Sequence, residues 1–166
     1  MENRPKIKIA SNQLDKFLEL ACVILLIFTW GVTIYNYVIS PITVPIHFDF
    51  SGKPDRYGDK LALLFVPIIP TVVYMALTKL NNYPHIFNYT TSITTDNAAK
   101  QYSIAIRMIR ILKVAVVLIF AVDGIATLLV TMGISKGLGV WFLPLAIFLL
   151  STPIILSIVQ SKKVLK

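Results

Sequence analysis

The stretch LELACVILLIFTWGVTIYNYV, residues 18–38, is apolar over a length that suits a membrane-crossing helix. An α-helix rises about 1.5 Å per residue, so roughly 20 residues cross a hydrocarbon core of about 30 Å. Three more runs of this kind follow, at about residues 61–80, 114–132 and 140–159. The sequence therefore predicts an all-α membrane protein with four transmembrane helices, forming a single domain over residues 1–166.

The composition also favours a membrane protein. Of the 166 residues, 56% are hydrophobic and 14% are charged, which is too little charge for the surface of a soluble domain. The formal net charge is +8, but the basic residues flank the apolar runs, so no nucleic-acid partner is expected. We expect no cleavable signal peptide, because the polar, basic segment through Phe17 is too long for one. The single cysteine, Cys22, is expected to be a packing residue inside the first span.

The distribution of lysine and arginine predicts the orientation of the spans. Twelve of the sixteen lie in the N-terminal segment, the loop after span two and the C-terminal segment: Arg4, Lys6, Lys8, Lys16, Lys79, Lys100, Arg107, Arg110, Lys113, Lys162, Lys163 and Lys166. The other four, in the two remaining loops, are Lys53, Arg56, Lys60 and Lys136. Cytoplasmic segments carry an excess of basic residues. Both termini of this multi-pass protein are therefore predicted to be cytoplasmic and the loop of residues 39–60 to face outward.

An amphipathic cytoplasmic helix is predicted just before the third span, in TTDNAAKQYSIAIRMIRILK, residues 94–113. Asp96 or Thr95 could cap its start. Its polar face is formed by residues spaced three or four apart, which are Lys100, Ser103, Arg107 and Arg110. A basic helix of this kind would lie at the headgroups and attract anionic lipid. It could also be a plain extension of the third span, or a face that binds a partner.

The loop between the first two spans, PIHFDFSGKPDRYGDK at residues 45–60, concentrates the polar chemistry of the chain. It holds one of the two histidines, three of the eight acidic residues and three of the sixteen basic ones. Alternation over residues 46–50 predicts an extended segment with His47 and Asp49 on one side. Ser51 and Gly52 are turn-forming residues, Pro54 and Asp55 suit the centre of a type I turn, and Gly58 is expected to mark a second turn. We therefore predict an ordered, outward-facing loop.

The same loop resembles a known family of bacterial membrane proteins, domain of unknown function 1648. The matching positions are Pro45, His47, Phe48, Asp49, Gly52, Pro54, Asp55, Gly58 and Lys60. A second stretch resembles the family at Tyr83, Pro84, Asn88, Thr94–Asn97 and Tyr102, so the likeness covers roughly residues 18–130. That domain is also similar to the N-terminal part of SdpI-type immunity proteins. The resemblance implies a role in protection against a secreted killing peptide.

The candidate binding residues in the loop are His47, Asp49, Asp55, Arg56 and Lys60. His47 and the two aspartates are expected to point into one polar pocket, which the two cations would neutralise or offer to an anionic ligand. No metal is expected, because the spacing fits neither a calcium loop nor a zinc site. No catalytic motif and no cofactor motif is found, so binding is favoured over catalysis. The ligand would be a peptide, a lipid headgroup or a partner membrane protein.

Asp123 lies near the middle of the third span, in FAVDGIATLLVT. A carboxylate there costs roughly 2.5–3.5 kcal/mol on insertion scales, so it is expected to face the bundle interior with a polar partner. The predicted function is peptide-toxin immunity or envelope stress protection through the 45–60 loop. The alternative is a small transporter or transport accessory that uses Asp123.

Overall fold

The computed structural model describes residues 4–164. Lys166, one of the C-terminal charges counted above, lies outside these residues. In chain order the elements are α1 (Gln13–Ile39), β1 (Thr43–Phe48), β2 (Pro54–Asp59), a 3₁₀ helix (Lys60–Leu64), α2 (Phe65–Leu80), a 3₁₀ turn (Pro84–Ile86), α3 (Ala98–Thr131) and α4 (Phe142–Lys163). Within residues 4–164, four helical segments are long and apolar enough to cross a membrane. They coincide with the four predicted spans.

α3 is the central helix of the bundle and packs against each of the other three. The predicted amphipathic helix and the third span form this one helix of 34 residues, which is about 50 Å long. The amphipathic part therefore continues straight into the bundle. Cys22 is fully buried in a small core with Leu26 and Val117, which confirms its expected packing role.

The start of α3 is not capped as predicted. Asn97 is the N-cap residue, and neither Asp96 nor Thr95 bonds the first turn. Instead, Thr94 N–H donates to Asn97 Oδ1 at 3.0 Å, and Asn97 N–H donates to Thr94 Oγ1 at 3.4 Å. This reciprocal pair fixes the turn ahead of the helix, because both side chains prefer local backbone partners.

A two-stranded β-hairpin interrupts the helical fold, so the expectation of an all-α protein is wrong for residues 43–59. β1 and β2 are antiparallel, with Thr43 opposite Asp59 and Phe48 opposite Pro54. Pro54, Asp55 and Gly58 lie in β2 and form neither of the two predicted turns. The turn lies earlier, at residues 49–53, because the Asp49 carboxylate accepts the N–H groups of Ser51 and Lys53.

The hairpin turn is attached to the loop between α3 and α4. Leu138 N–H donates to the Gly52 carbonyl at 2.7 Å. Gly52 has a φ of +75°, and a Cβ at Gly137 would collide with the Gly52 carbonyl oxygen. Two backbone segments can approach this closely only where the residues in contact carry no side chain. The hairpin is thus held over one end of the bundle, here called the hairpin end.

Candidate functional site

A cavity of about 300 Å³ lies between the hairpin and the start of α4. Its polar lining comes from His47, Asp49 and Asp55, and its apolar lining includes Phe50 and Phe142. His47 Nδ1 lies 2.6 Å from Asp55 Oδ1, and both side chains are about half exposed, at 54% and 44%. The pairing of β1 with β2 brings these two side chains together from positions eight residues apart. The cavity thus presents two carboxylates and an imidazole beside two aromatic rings.

Asp49 closes the hairpin turn as well as lining the cavity. Its Oδ1 accepts hydrogen bonds from the Ser51 hydroxyl at 2.7 Å, from Ser51 N–H at 2.8 Å and from Lys53 N–H at 2.9 Å. The Ser51 hydroxyl and the Lys53 backbone hydrogen bond hold the pKa of the Asp49 carboxyl below its usual value. Asp49 therefore keeps its negative charge at the mouth of the cavity while it shapes the turn.

The two basic candidates do not line this cavity. Lys60 Nζ donates to the Tyr37 carbonyl at 3.2 Å and lies 4.7 Å from the centre of the Tyr37 ring. Arg56 is exposed in β2, opposite His47 in the strand register. The structure thus brings three of the five candidate side chains to the cavity and places the two cations elsewhere. Lys60 ties the hairpin to the end of α1, a structural role.

Asp123 lines a small cavity of about 60 Å³ directly under the hairpin, together with Pro45, Phe48 and Thr127. Within residues 4–164 its carboxylate has no hydrogen-bond or ion-pair partner. The expectation of a polar partner is therefore wrong, since the carboxylate meets a cavity instead. A cavity of this size can hold a water molecule or a small cation.

A cluster of charged side chains at the other end of the bundle was missed by sequence reasoning. Asp15 and Glu19 of α1 face Arg107, Arg110 and Lys113 of α3. The shortest contacts are those of Lys113 Nζ with the two Glu19 oxygens, at 2.6 and 2.7 Å. The basic face expected to attract lipid is thus partly neutralised within the protein. We call this end of the molecule the ionic end.

Spacing was the signal that could have found this cluster. Asp15 and Glu19 are four residues apart, and the three basic residues follow one another at intervals of three. Both sets therefore lie on single helical faces that point in one direction. Opposite charges on the first and third spans predict that these spans are neighbours.

Within the part of the chain that the structure describes, no three His, Cys, Asp or Glu side chains come together in a metal-binding arrangement. The His47–Asp55 pair alone supplies two of the ligands that a transition metal would need.

The four apolar helices define the protein as a multi-pass membrane protein. Residues 24–71 match the family described as "Domain of unknown function (DUF1648)", which confirms the resemblance over α1, the hairpin and the first part of α2. The match is shorter than the roughly 18–130 expected, and residues 83–102 lie outside it.

One relative comes from an archaeon, Archaeoglobus fulgidus, and carries the description "Uncharacterized protein". It is 34% identical over an alignment of 67 residues, and the match covers 36% of this chain. The chain spans about 37% of the length of that relative. No solved structure matches the chain.

Proposed function

We propose that this protein is a bacterial cytoplasmic-membrane protein that binds a peptide outside the cell and so protects the cell from a secreted peptide toxin or envelope stress. The observation that carries the proposal is the cavity of about 300 Å³ under the hairpin. It combines the carboxylates of Asp49 and Asp55 with the rings of Phe50 and Phe142. A cationic side chain beside an apolar one fits such a lining.

The size of the cavity limits what enters it. Ligand pockets are commonly about 300–1,000 Å³, so this cavity takes one or two side chains of a peptide and not a whole folded partner. The rest of the peptide would lie across the exposed Phe50 and Tyr57 at the hairpin surface. The role is binding and not catalysis, with the hairpin end outward and both termini in the cytoplasm.

Cells challenged with a synthetic cationic amphipathic peptide of lysine and leucine provide the test. Cells that express the protein should survive a higher peptide concentration than cells without it. The double variant Asp49→Asn/Asp55→Asn should lose this protection at unchanged expression, because both cavity charges are removed while the side-chain shapes are kept.

Arg56→Gln is the matched control, since Arg56 lies on the same hairpin but outside the cavity lining. It should protect like the wild type. Protection that is absent from the wild type, or equal in the wild type and the double variant, would contradict the proposal.

A second candidate function is a small transporter or transport accessory. Two observations favour it. Asp123 faces a cavity without a partner among residues 4–164, and the Thr33 hydroxyl of α1 is buried without a partner in the same described range. Thr33 Oγ1 lies 4.0 Å from the position that a Cβ atom would occupy on Gly124, which is the residue next to Asp123. Two unpartnered polar groups on adjacent helices could pass a proton or a small cation.

Liposomes that contain the purified protein and a trapped pH dye test this second candidate. Under a potassium diffusion potential the wild type should acidify the lumen, and Asp123→Asn should not. Asp96→Asn, at an exposed position before α3, is the control. Equal proton flux through the wild type and Asp123→Asn would contradict the proposed transport function.

A further inference from the structure

A cavity of about 810 Å³ lies at the ionic end. Three segments surround it: residues 6–11, the end of α2 with the following loop, and the α3 face around Arg110. The cavity is separate from the hairpin cavity and shares no residue with it. Its volume suits a ligand larger than a single side chain.

The lining of this cavity carries an excess of positive charge. Lys6, Lys8 and Arg110 contribute three cations and Glu19 one carboxylate. Arg110 Nε lies 3.2 Å from Glu19 Oε1, so these two charges offset one another. Lys6 and Lys8 form no ion pair with any of residues 4–164. Two ammonium groups beside an otherwise balanced site favour an anion such as a phosphate ester.

A buried acceptor in the same lining adds a second requirement. Asn81 Oδ1 is buried and has no hydrogen-bond partner within residues 4–164. The Asn81 amide nitrogen lies 3.5 Å from the Ile106 carbonyl oxygen, which leaves the amide oxygen as the unpartnered group. An unsatisfied buried acceptor is costly. The residue as a whole is half-buried, so a rotation of this side chain would present the oxygen to a ligand that carries a hydroxyl or ammonium donor.

The segment that carries the two lysines is anchored before any ligand arrives. The Arg4 guanidinium donates to the carbonyls of His85 and Phe87, at 3.3 and 2.6 Å, and lies 5.5 Å from the centre of the Tyr89 ring. The Tyr102 hydroxyl donates to the Pro5 carbonyl at 3.1 Å. Lys6 therefore follows immediately after two fixed residues, which lowers the entropy cost of binding.

The cavity lies at the level where the apolar run of α1 begins and that of α2 ends, because its lining includes Glu19, Thr78 and Asn82. This is the level of lipid headgroups in a membrane-spanning bundle. We propose that the cavity binds the phosphate-ester headgroup of an anionic phospholipid whose headgroup bears a hydroxyl donor, as phosphatidylglycerol does. The phosphate contacts Lys6 and Lys8, and the headgroup hydroxyl donates to Asn81 Oδ1.

The test measures binding of defined lipids to the purified full chain in detergent, by native mass spectrometry and by thermal shift. Phosphatidylglycerol should bind more tightly than phosphatidylcholine. Lys6→Gln/Lys8→Gln should weaken phosphatidylglycerol binding about tenfold or more, since two phosphate contacts are lost. Lys162→Gln/Lys163→Gln removes the same charge from the exposed end of α4, outside the cavity, and should leave binding unchanged.

A second pair of probes isolates the acceptor. Phosphatidylmethanol has the same phosphodiester charge but no headgroup hydroxyl, so the wild type should prefer phosphatidylglycerol and Asn81→Leu should lose that preference. Equal loss of binding in the two lysine double variants, or no preference for phosphatidylglycerol over phosphatidylcholine, would overturn the proposal. Stabilisation by soluble glycerol 3-phosphate without any by phosphatidylglycerol would assign the site to a free ester and overturn the lipid assignment.

Discussion

Lys113 is the residue at which three helices meet. Its ammonium group bonds both carboxylate oxygens of Glu19 on α1 and, at 2.8 Å, the Thr78 hydroxyl on α2. It also lies 4.7 Å from the centre of the Tyr74 ring, and its side chain is only 1% exposed. A lysine so deeply buried is stable only because its charge and all three donors are accounted for.

Replacing Lys113 with methionine should destabilise the protein strongly. Glu19 would lose its two shortest contacts but keep Arg110, and its side chain is 31% exposed, so the cost should be below the roughly 3–5 kcal/mol typical of breaking a fully buried pair. Thermal unfolding in detergent should show a lower Tm for Lys113→Met than for the exposed control Lys79→Met. Glu19→Gln should lower the Tm less in the Lys113→Met background than in the wild type, because the contact between these two residues is already absent there. Fully additive losses in the double variant would contradict the pairing argument.

The hairpin turn should be sensitive to acid through Asp49. Because the pKa of this carboxyl is lowered from 3.8 in the folded protein, its contribution to turn stability is complete above pH 3.8. That contribution is lost as the pH falls through the lower folded value. Amide exchange at Ser51 and Lys53 should therefore speed up, relative to the intrinsic rate, on acidification through this range.

Asp49→Asn supplies the comparison for this acid effect, since the amide oxygen still accepts hydrogen bonds but cannot be protonated. Its turn should show no such acid step, whereas the exposed control Asp96→Asn should behave like the wild type. An acid step of the same size in Asp49→Asn would assign the effect to another group.

Sequence reasoning found the cavity aspartates but not the charged cluster. His47, Asp49 and Asp55 are close in the chain, so local alternation was enough to group them. Asp15 and Glu19 lie 91 to 95 residues from their basic partners. Hydrophobic periodicity and charge counting treat each span separately. They assign a basic residue to one side of the membrane but do not identify the acidic residue that it contacts. The ion pairs between the two helices are therefore seen only when the packing of α1 against α3 is known.

Among the elements, the four long helices followed from hydropathy, and the hairpin did not. Hydropathy fixes a span because bilayer thickness sets its length. Residues 51–58, SGKPDRYG, have turn-forming residues at almost every position, so composition favoured two turns. The Asp49 side chain instead closes a turn at residues 49–53, ahead of both predicted turns, and leaves Pro54–Asp59 extended as a second strand.

The contact between the hairpin turn and the loop after α3 should tolerate no side chain at Gly137. A methyl group there meets the Gly52 carbonyl, so the two backbones must separate, at a cost of about 1–3 kcal/mol. Gly137→Ala should lower the Tm and should increase the mobility of a spin label on the hairpin. Gly31→Ala, on an open face of α1, should leave both unchanged or raise the Tm. A Gly137→Ala protein as stable as Gly31→Ala would show that the close approach is dispensable.

At the scale of the whole molecule, the two ends differ in chemistry. The hairpin end has an acidic cavity and a small cavity under it, whereas the ionic end has the charged cluster and a basic cavity. Four antiparallel spans place the hairpin turn and the loop before α3 at opposite ends. The sequence alone predicts that successive loops lie at opposite ends of the bundle, because each apolar run must cross the bilayer once.

Cysteine labelling should place these ends on opposite sides of the membrane. In a Cys22→Ala background, Lys53→Cys should react with an impermeant maleimide added to intact cells. Ser92→Cys should react only after the cells are permeabilised. The expected sides follow from the excess of basic residues at the ionic end. Reaction of both cysteines from the same side would rule out a four-span topology.

The pairing of α1 with α3 also has a consequence for how the protein is made. The acids of α1 leave the ribosome more than 90 residues before the cations that neutralise them. At about 5–20 residues per second, this interval lasts about 5–20 s. During that time the first span carries two carboxylates near its N-terminal end without the α3 cations that pair with them, which favours retention near the membrane surface or beside the insertion machinery. A chain truncated before α3 should consequently be degraded faster than one truncated after it, since only the longer chain can pair the carboxylates of its first helix with cations.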